Sequence, residues 1–246
     1  MKTKVWAHRG ASGYMPENTL PSFRKAVELG ADGIELDIQL SKDGEIVVCH
    51  DEMVDRTSNA KGWLKDYTLA ELKEMDFSYQ FKELGKVSIP TMKEVFELLK
   101  PTNLIINIEL KTGIFDYEGI EEKIIALTHA EGFEDRVIYS SFNHYSIMKI
   151  QELDPNAKTA FLYSDGPLDM PLYGYEHHVN ALHPAAYNLR LPDFMEECNV
   201  YHLDVNVWTV NTEEIALMCL KYGVNTLITN YPDRIKKVIE QYETGI

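Results

Sequence analysis

Cysteine is scarce in this sequence. Cys49, Cys198 and Cys219 are odd in number, far apart, and without C-x-x-C spacing. That argues against a disulfide framework and reads as free thiols in a reducing compartment. Long apolar runs are missing too. Nothing approaches the roughly 20 residues of a membrane-spanning helix, and the opening MKTKVWAHRG has no apolar core of a secretory signal. The expectation is a cytoplasmic protein with no stable membrane association. Positive charge is in deficit: 24 Lys and Arg against 39 Asp and Glu leave a net charge of −15. Such a surface repels the nucleic-acid backbone and anionic bilayers alike. A small anion is not excluded, because a few local cations reverse the field inside a cleft. Linkers, low-complexity runs and short repeats are also absent.

What is present is a strand-then-helix rhythm. Strand-like apolar runs are predicted at Val5–His8, Gly33–Ile38, Ile46–His50 and Leu104–Leu110. More follow at Val137–Phe142, Thr159–Leu162, Val179–His183, Val205–Val210 and Thr226–Thr229. Helix-period segments fall at Leu20–Leu29, Met92–Leu99, Ile120–Ala130, Tyr145–Leu153, Phe194–Cys198 and Glu213–Tyr222. Alternating elements imply a parallel sheet with helices outside it, and a chain of 246 residues suits closure into a TIM-type β/α barrel. The expected organisation is one barrel domain over residues 1–246. Residues 51–89, with a helix near Leu69–Met75, form a short insertion over one end after the third strand; about forty residues rarely fold alone.

One junction breaks the rhythm. Only Ser41-Lys42-Asp43-Gly44 joins the second and third runs. Parallel strands need a crossover of a dozen residues or more, so this pair is predicted to be an antiparallel hairpin. A turn centred on that tetrapeptide puts Glu35 opposite His50. It also gives nine strands where a barrel needs eight, so one is antiparallel in the wall or lies outside it.

Ionisable residues recur at the C-terminal ends of these runs: His8-Arg9-Gly10, Glu35-x-Asp37, His50-Asp51, Glu109-x-Lys111 and Trp208-Thr209-Val210-Asn211. In a β/α barrel those ends converge on one mouth, where active sites are built. Strand alternation puts Glu35 and Asp37 on one face, and likewise Glu109 and Lys111. Each group alone has a structural reading: a solvated strand face, a hydrogen-bonded core histidine, an internal ion pair. Trp208 alone is more often packing than substrate contact. The convergence carries the functional reading. His129, His144, His177, His178 and His202 read as structural or surface residues, and His183, before Pro184 at a strand end, could line the mouth but is assigned no role.

Taken in order, these motifs resemble the glycerophosphodiester phosphodiesterase family. His8-Arg9-Gly10 is followed by Pro16-Glu17-Asn18-Thr19, Glu35-x-Asp37, Ser41-Lys42-Asp43-Gly44, and Val47-Val48-Cys49-His50-Asp51. Then come Asp55-Arg56-Thr57, Ile89-Pro90-Thr91, Glu109-Leu110-Lys111, Ser140-Ser141-Phe142, Val207-Trp208-Thr209-Val210-Asn211 and Thr229-Asn230-x-Pro232. The match runs from residue 5 to about 234. It implies metal-dependent hydrolysis of a small-molecule glycerophosphodiester to sn-glycerol 3-phosphate and an alcohol. It further implies His8 and His50 as acid and base, in either order, and Glu35, Asp37 and Glu109 as ligands of one divalent cation. A carboxylate set without thiols or paired histidines suits Mg²⁺ or Ca²⁺ rather than Zn²⁺. Arg9 would grip the phosphate, with Lys111 as a second cation. Phe142 and Trp208 are candidate walls of the substrate pocket. Three rivals stand beside this reading. A lipid-directed phosphodiesterase would want an apolar rim, to which Tyr163, Tyr173 and Tyr175 are candidates. A two-carboxylate glycosidase would leave the histidines and cations without roles. A non-catalytic binding barrel would not need intact histidines.

Overall fold

The structure, a computed structural model, describes residues 2–245. It opens with β1 (Lys4–His8), α1 (Leu20–Glu28), β2 (Gly33–Leu40) and β3 (Ile46–Val48). After the 51–89 segment, which carries α2 (Leu69–Glu74), come α3 (Met92–Leu99), β4 (Ile105–Leu110), α4 (Ile120–Glu131) and β5 (Val137–Ser141). The chain continues through α5 (His144–Leu153), β6 (Lys158–Tyr163), α6 (Met170–Glu176), β7 (Ala181–Pro184) and α7 (Phe194–Val200). It ends with β8 (Asp204–Val207), α8 (Glu213–Tyr222), β9 (Thr226–Thr229) and α9 (Pro232–Thr244).

Eight parallel strands close into a TIM-type barrel, because β1 pairs with β9 on one side and β2 on the other. Alternation sorts the side chains. Val5, Ala7, Ile34, Leu36, Ile106 and Ile108 pack outward into the main core beneath the helices, while Glu35, Asp37, Asn107 and Glu109 face inward. Register then decides which inward residues meet. His8 pairs with Glu35, and Asp37 with Glu109. Parallel partners point to the same side, so two pairs of predicted site residues become neighbours through backbone pairing alone.

Local signals start the helices where expected. Thr19 caps α1 by accepting from the Ser22 N–H, with Pro in the first turn, and Thr91 with Glu94 forms a capping box on α3. Helices α6 and α9 were not anticipated. In α9 the signal was there: Pro232 in the first turn and buried Ile235, Val238 and Ile239 at helical spacing. In α6 it was not. That helix is short, contains Pro171 and Gly174, and follows Asp169 at φ +56°.

The hairpin is antiparallel, but its register differs from expectation by one residue. Ile38 pairs with Val48 and Leu40 with Ile46. Cys49 therefore falls opposite Asp37, its N–H donating to the Asp37 carbonyl at 3.0 Å, and His50 is one position away from the expected place opposite Glu35. The cause is an extra turn residue. The Ser41 N–H bonds the Glu45 carbonyl at 3.0 Å, so Lys42, Asp43 and Gly44 form a three-residue loop, with Gly44 in the left-handed region at φ +81°. Strand β3 joins only the last three residues of β2, whereas β4 pairs along Gly33–Ile38. The ninth strand therefore lies outside the closed ring. Below it, Val47 and Cys49 share a second apolar cluster with Val54, Leu64, Leu72, Met75, Phe77 and Ile89. The 51–89 segment thus packs on side chains that β3 supplies.

Candidate active site

At the C-terminal mouth a cavity of about 260 Å³ is lined by His8, Arg9, Glu35, His50, Asn107, Glu109, Phe142, Leu162, His183, Trp208, Thr209 and Ile228. Seven of the nine residues expected from sequence are in that wall. The other two stand just behind it. Asp37 is fully buried next to Glu109, and the Lys111 Nζ lies 3.1 Å from Glu109 Oε1.

The three carboxylates are crowded, with one oxygen from each within 4.8 Å of the others. Glu35 Oε2 accepts the Arg9 backbone N–H at 2.9 Å. Asp37 Oδ2 accepts from Asn18 Nδ2 at 2.8 Å and lies 3.5 Å from Arg9 Nε. Asp37 Oδ1 is buried with no partner. Burial, reinforced by the charges of its two neighbours, pushes the Glu35 carboxyl well above its ordinary range. Burial and Asp37 push Glu109 up to about 7. Asp37 goes the other way. Burial opposes its charge, but His50, Arg9 and Lys111 together with the Asn18 hydrogen bond hold it at about 2. Buried carboxylates that repel one another around an unsatisfied oxygen are short of positive charge. The donors are hard oxygens throughout, so the set fits a divalent cation of the Mg²⁺ or Ca²⁺ type.

Backbone geometry fixes the cation beside them. Arg9 has φ +55°, an uncommon state for a side-chain-bearing residue, and is held there from both ends. Its N–H goes to Glu35, while its carbonyl accepts from the Asn18 N–H and the Ser22 hydroxyl. Gly10 follows at φ +78°, where a Cβ would sit 2.3 Å from Ser22 Oγ; only glycine lets the loop close onto α1. Arg9 Nη1 donates to Glu17 Oε1 at 2.9 Å. Although burial opposes its charge, Asp37, Glu17 and Glu35 hold the guanidinium above its ordinary value.

Both histidines are oriented through Nδ1. His8 donates from Nδ1 to Asn230 Oδ1 at 2.7 Å, leaving Nε2 at 3.9 Å from Glu35 Oε2. Burial, aided by Arg9, lowers His8 to about 4, so its ring is neutral near pH 7. His50 donates from Nδ1 to Asp51 Oδ1 at 2.7 Å, so that bond too is made through Nδ1 and not Nε2. The loop carrying His50 is tied down by Gln39, whose Nε2 donates to the carbonyls of Cys49 and Asp51, both at 2.8 Å.

Several supporting residues were not assigned from sequence. Arg56 binds Asp51 through Nε at 2.6 Å and Glu17 through Nη2 at 2.7 Å. An ion-paired chain His50–Asp51–Arg56–Glu17–Arg9 therefore connects one histidine to the cation across the 51–89 segment. Asp51, Arg56, Glu17 and Asn18 all stood inside quoted motifs, but their mutual contacts depend on how that segment packs. His183 is fully buried in the cavity wall, where burial lowers it to about 3. Phe142 meets Trp208 edge-to-face at 5.6 Å, and Trp208 Nε1 donates to the His183 carbonyl at 2.8 Å. The tyrosines do not form a rim. Tyr163 is buried, Tyr173 stacks on Phe161, Tyr175 stacks on Tyr201, and none lines the cavity.

A closed β/α barrel with this mouth belongs to the hydrolases that cleave phosphoric diesters. The chain is a member of the glycerophosphoryl diester phosphodiesterase family, whose pattern it matches over residues 8–234. It is 43% identical over 242 residues to the glycerophosphodiester phosphodiesterase of Caldanaerobacter subterraneus subsp. tengcongensis, covering 98% of this chain and 99% of that one. The glycerophosphodiester phosphodiesterase of Bacillus altitudinis is 42% identical, with 97% and 99% covered. An Oleispira antarctica phosphodiesterase, solved in complex with the product sn-glycerol-3-phosphate, superposes with a TM-score of 0.86 at 29% identity, covering 97% of each chain. Like these relatives the chain is an enzyme, a glycerophosphodiester phosphodiesterase. Among the described residues no helix is long and apolar enough to cross a membrane.

Proposed function

We propose that the enzyme hydrolyses glycerophosphodiesters to sn-glycerol 3-phosphate and an alcohol, with one divalent cation, Mg²⁺ or Ca²⁺, held by Glu35, Asp37 and Glu109. The observation that carries this is the buried carboxylate trio, with Asp37 Oδ1 unpartnered, beside one arginine and two histidines in a single cavity. When bound, the cation neutralises phosphoryl charge and offers open coordination positions to oxygen.

The remaining work falls to side chains of this enzyme. Arg9 presents its guanidinium to the phosphate and stabilises charge that grows on the phosphoryl oxygens. Lys111, paired with Glu109, adds a second positive charge nearby. The attacking hydroxyl must lose a proton and the departing alkoxide must gain one. His8 and His50 divide those tasks through Nε2, each with its Nδ1 proton fixed by a neighbour. Phe142 and Trp208 wall the substrate pocket. The 51–89 segment, an insertion on one barrel domain, supplies the Arg56 clamp on Asp51 and so positions His50. The net charge of −15 disfavours nucleic-acid and anionic-membrane partners, and the small-molecule substrate class places the enzyme, on this reading, in glycerol and lipid metabolism in the cytoplasm.

The test is direct. Purified enzyme incubated with glycerophosphoethanolamine and Mg²⁺ or Ca²⁺ releases sn-glycerol 3-phosphate, and EDTA stops the release. Turnover indifferent to EDTA after metal stripping would refute the cation's part. No release from folded enzyme with either ion would refute the substrate class.

A further inference from the structure

The mouth holds a second cavity of about 260 Å³, which shares His8 and Arg9 with the first. The 51–89 segment contributes Arg56, Tyr79, Gln80 and Phe81 to its wall, together with Glu17 and Tyr231. A phosphodiester carries two substituents. With the phosphate on Arg9, one substituent extends into each of the two cavities that meet there. The carboxylate trio and its cation belong to the first, so the second is the place for the leaving alcohol.

The charges of this second wall are already committed. Glu17 is its only carboxylate, and both of its oxygens are taken. Oε1 accepts from Arg9 Nη1 at 2.9 Å and Arg56 Nη2 at 2.7 Å, and Oε2 accepts from Arg56 Nη1 at 2.8 Å. Asp51, which shares Arg56, lies outside the lining. Two guanidiniums against one carboxylate leave the wall positive. Two of its aromatic faces are committed as well. The Arg56 guanidinium lies 5.9 Å from the Tyr79 ring centre, and that of Arg234 lies 4.6 Å from the Tyr231 ring centre. An ammonium group seeks a free carboxylate or an open aromatic face, and here the carboxylate and both tyrosines already serve arginines.

What the wall does offer is hydrogen bonding. Gln80 is exposed, with an amide that both donates and accepts. Ser12 gives its proton to the His8 carbonyl at 2.7 Å and keeps its lone pairs for another donor. Asp51 and Glu17 engage four of the five Arg56 N–H groups, which leaves one on Nη1. Hydroxyl groups match such a wall, whereas a fixed positive charge is repelled by it.

We propose that the second cavity receives the leaving alcohol and selects neutral polyols, of the inositol type, over cationic alcohols such as choline, with Gln80 as a specificity-determining residue. The proposal rests on the glycerophosphodiester reading of the first cavity.

The experiment compares kcat/KM of metal-loaded enzyme on glycerophosphoinositol and glycerophosphocholine. The inositol ester is expected to lead by roughly fivefold, the scale of one partly exposed charge contact. Two variants move that lead in opposite directions. Gln80→Glu puts a free carboxylate in the wall and narrows it by about threefold, chiefly through KM of the choline ester; Gln80→Lys widens it by a similar factor. Gln80 is exposed, so neither change disturbs packing. Equal kcat/KM on the two esters, a lead for the choline ester, or a ratio that the two variants do not shift in opposite directions overturns the proposal. Failure of the folded, unaltered enzyme on both esters is a different result and removes the reading beneath it.

Discussion

Replacing His8 or His50 with Ala is expected to lower kcat on glycerophosphoethanolamine by on the order of 10²–10⁴, the usual worth of a positioned acid or base, and to leave the protein folded. Neither side chain is a core hydrophobe, and each keeps its Nε2 out of the hydrogen-bond network that holds its ring. The loss therefore belongs to chemistry rather than to packing. The two variants also differ in a readable way. A p-nitrophenyl leaving group departs without help from an acid. The variant that has lost the acid recovers much of its activity on such an ester, while the variant that has lost the base does not. That comparison assigns the roles. Activity near the unaltered level in either variant, on the ethanolamine ester, would remove that histidine from the mechanism.

Glu35→Gln is expected to raise stability and remove activity together. In the metal-free protein Glu35 is a buried carboxylate close to two others. The amide removes that repulsion while keeping an oxygen for the Arg9 N–H. The sign with pH follows from linkage. The Glu35 carboxyl is raised in the folded state above its ordinary value near 4.5, so the folded chain binds more protons there than the unfolded chain. Its contribution is fully present below that ordinary value and is lost as pH rises toward the raised one. The gain from Glu35→Gln accordingly appears at pH 8 and vanishes near pH 4. About 1 kcal/mol moves the unfolding midpoint of a chain this size by roughly 2–4 °C, which differential scanning calorimetry resolves. Turnover falls at least about 10²-fold, since stabilisation worth several kcal/mol is withdrawn from the transition state. A variant that is less stable than the parent at pH 8 yet fully active would contradict both halves.

Much of this site was legible in the linear sequence, for a physical reason. Barrel strands deliver inward residues to one mouth, so His8, Glu35, Asp37 and Glu109 needed only strand alternation and chain order to be gathered. Elements set by local periodicity, such as the first helix, expected at Leu20–Leu29 and found at Leu20–Glu28, were equally plain. What escaped depended on single residues or on distant packing. Gly44 in a left-handed conformation added one residue to a turn and moved His50 out of line with Glu35. The hold of Arg56 on Asp51 and Glu17 arises only when the 51–89 segment folds over β3. His183 carried no decisive signal, because a histidine before proline at a strand end looks the same whether it fills a core or lines a mouth. Helix α9 was readable from Ile235, Val238 and Ile239; α6, with Pro171 and Gly174 inside it, was not.

Everything proposed for the chemistry depends on Glu35, Asp37 and Glu109 holding one divalent cation. Isothermal titration of Mg²⁺ or Ca²⁺ into metal-stripped enzyme tests that claim most directly, with Asp37→Asn titrated alongside. The expected result is one ion per chain in the unaltered enzyme and affinity lost, or weakened at least tenfold, in the variant. No binding by the unaltered enzyme, or equal binding by both, would contradict the account.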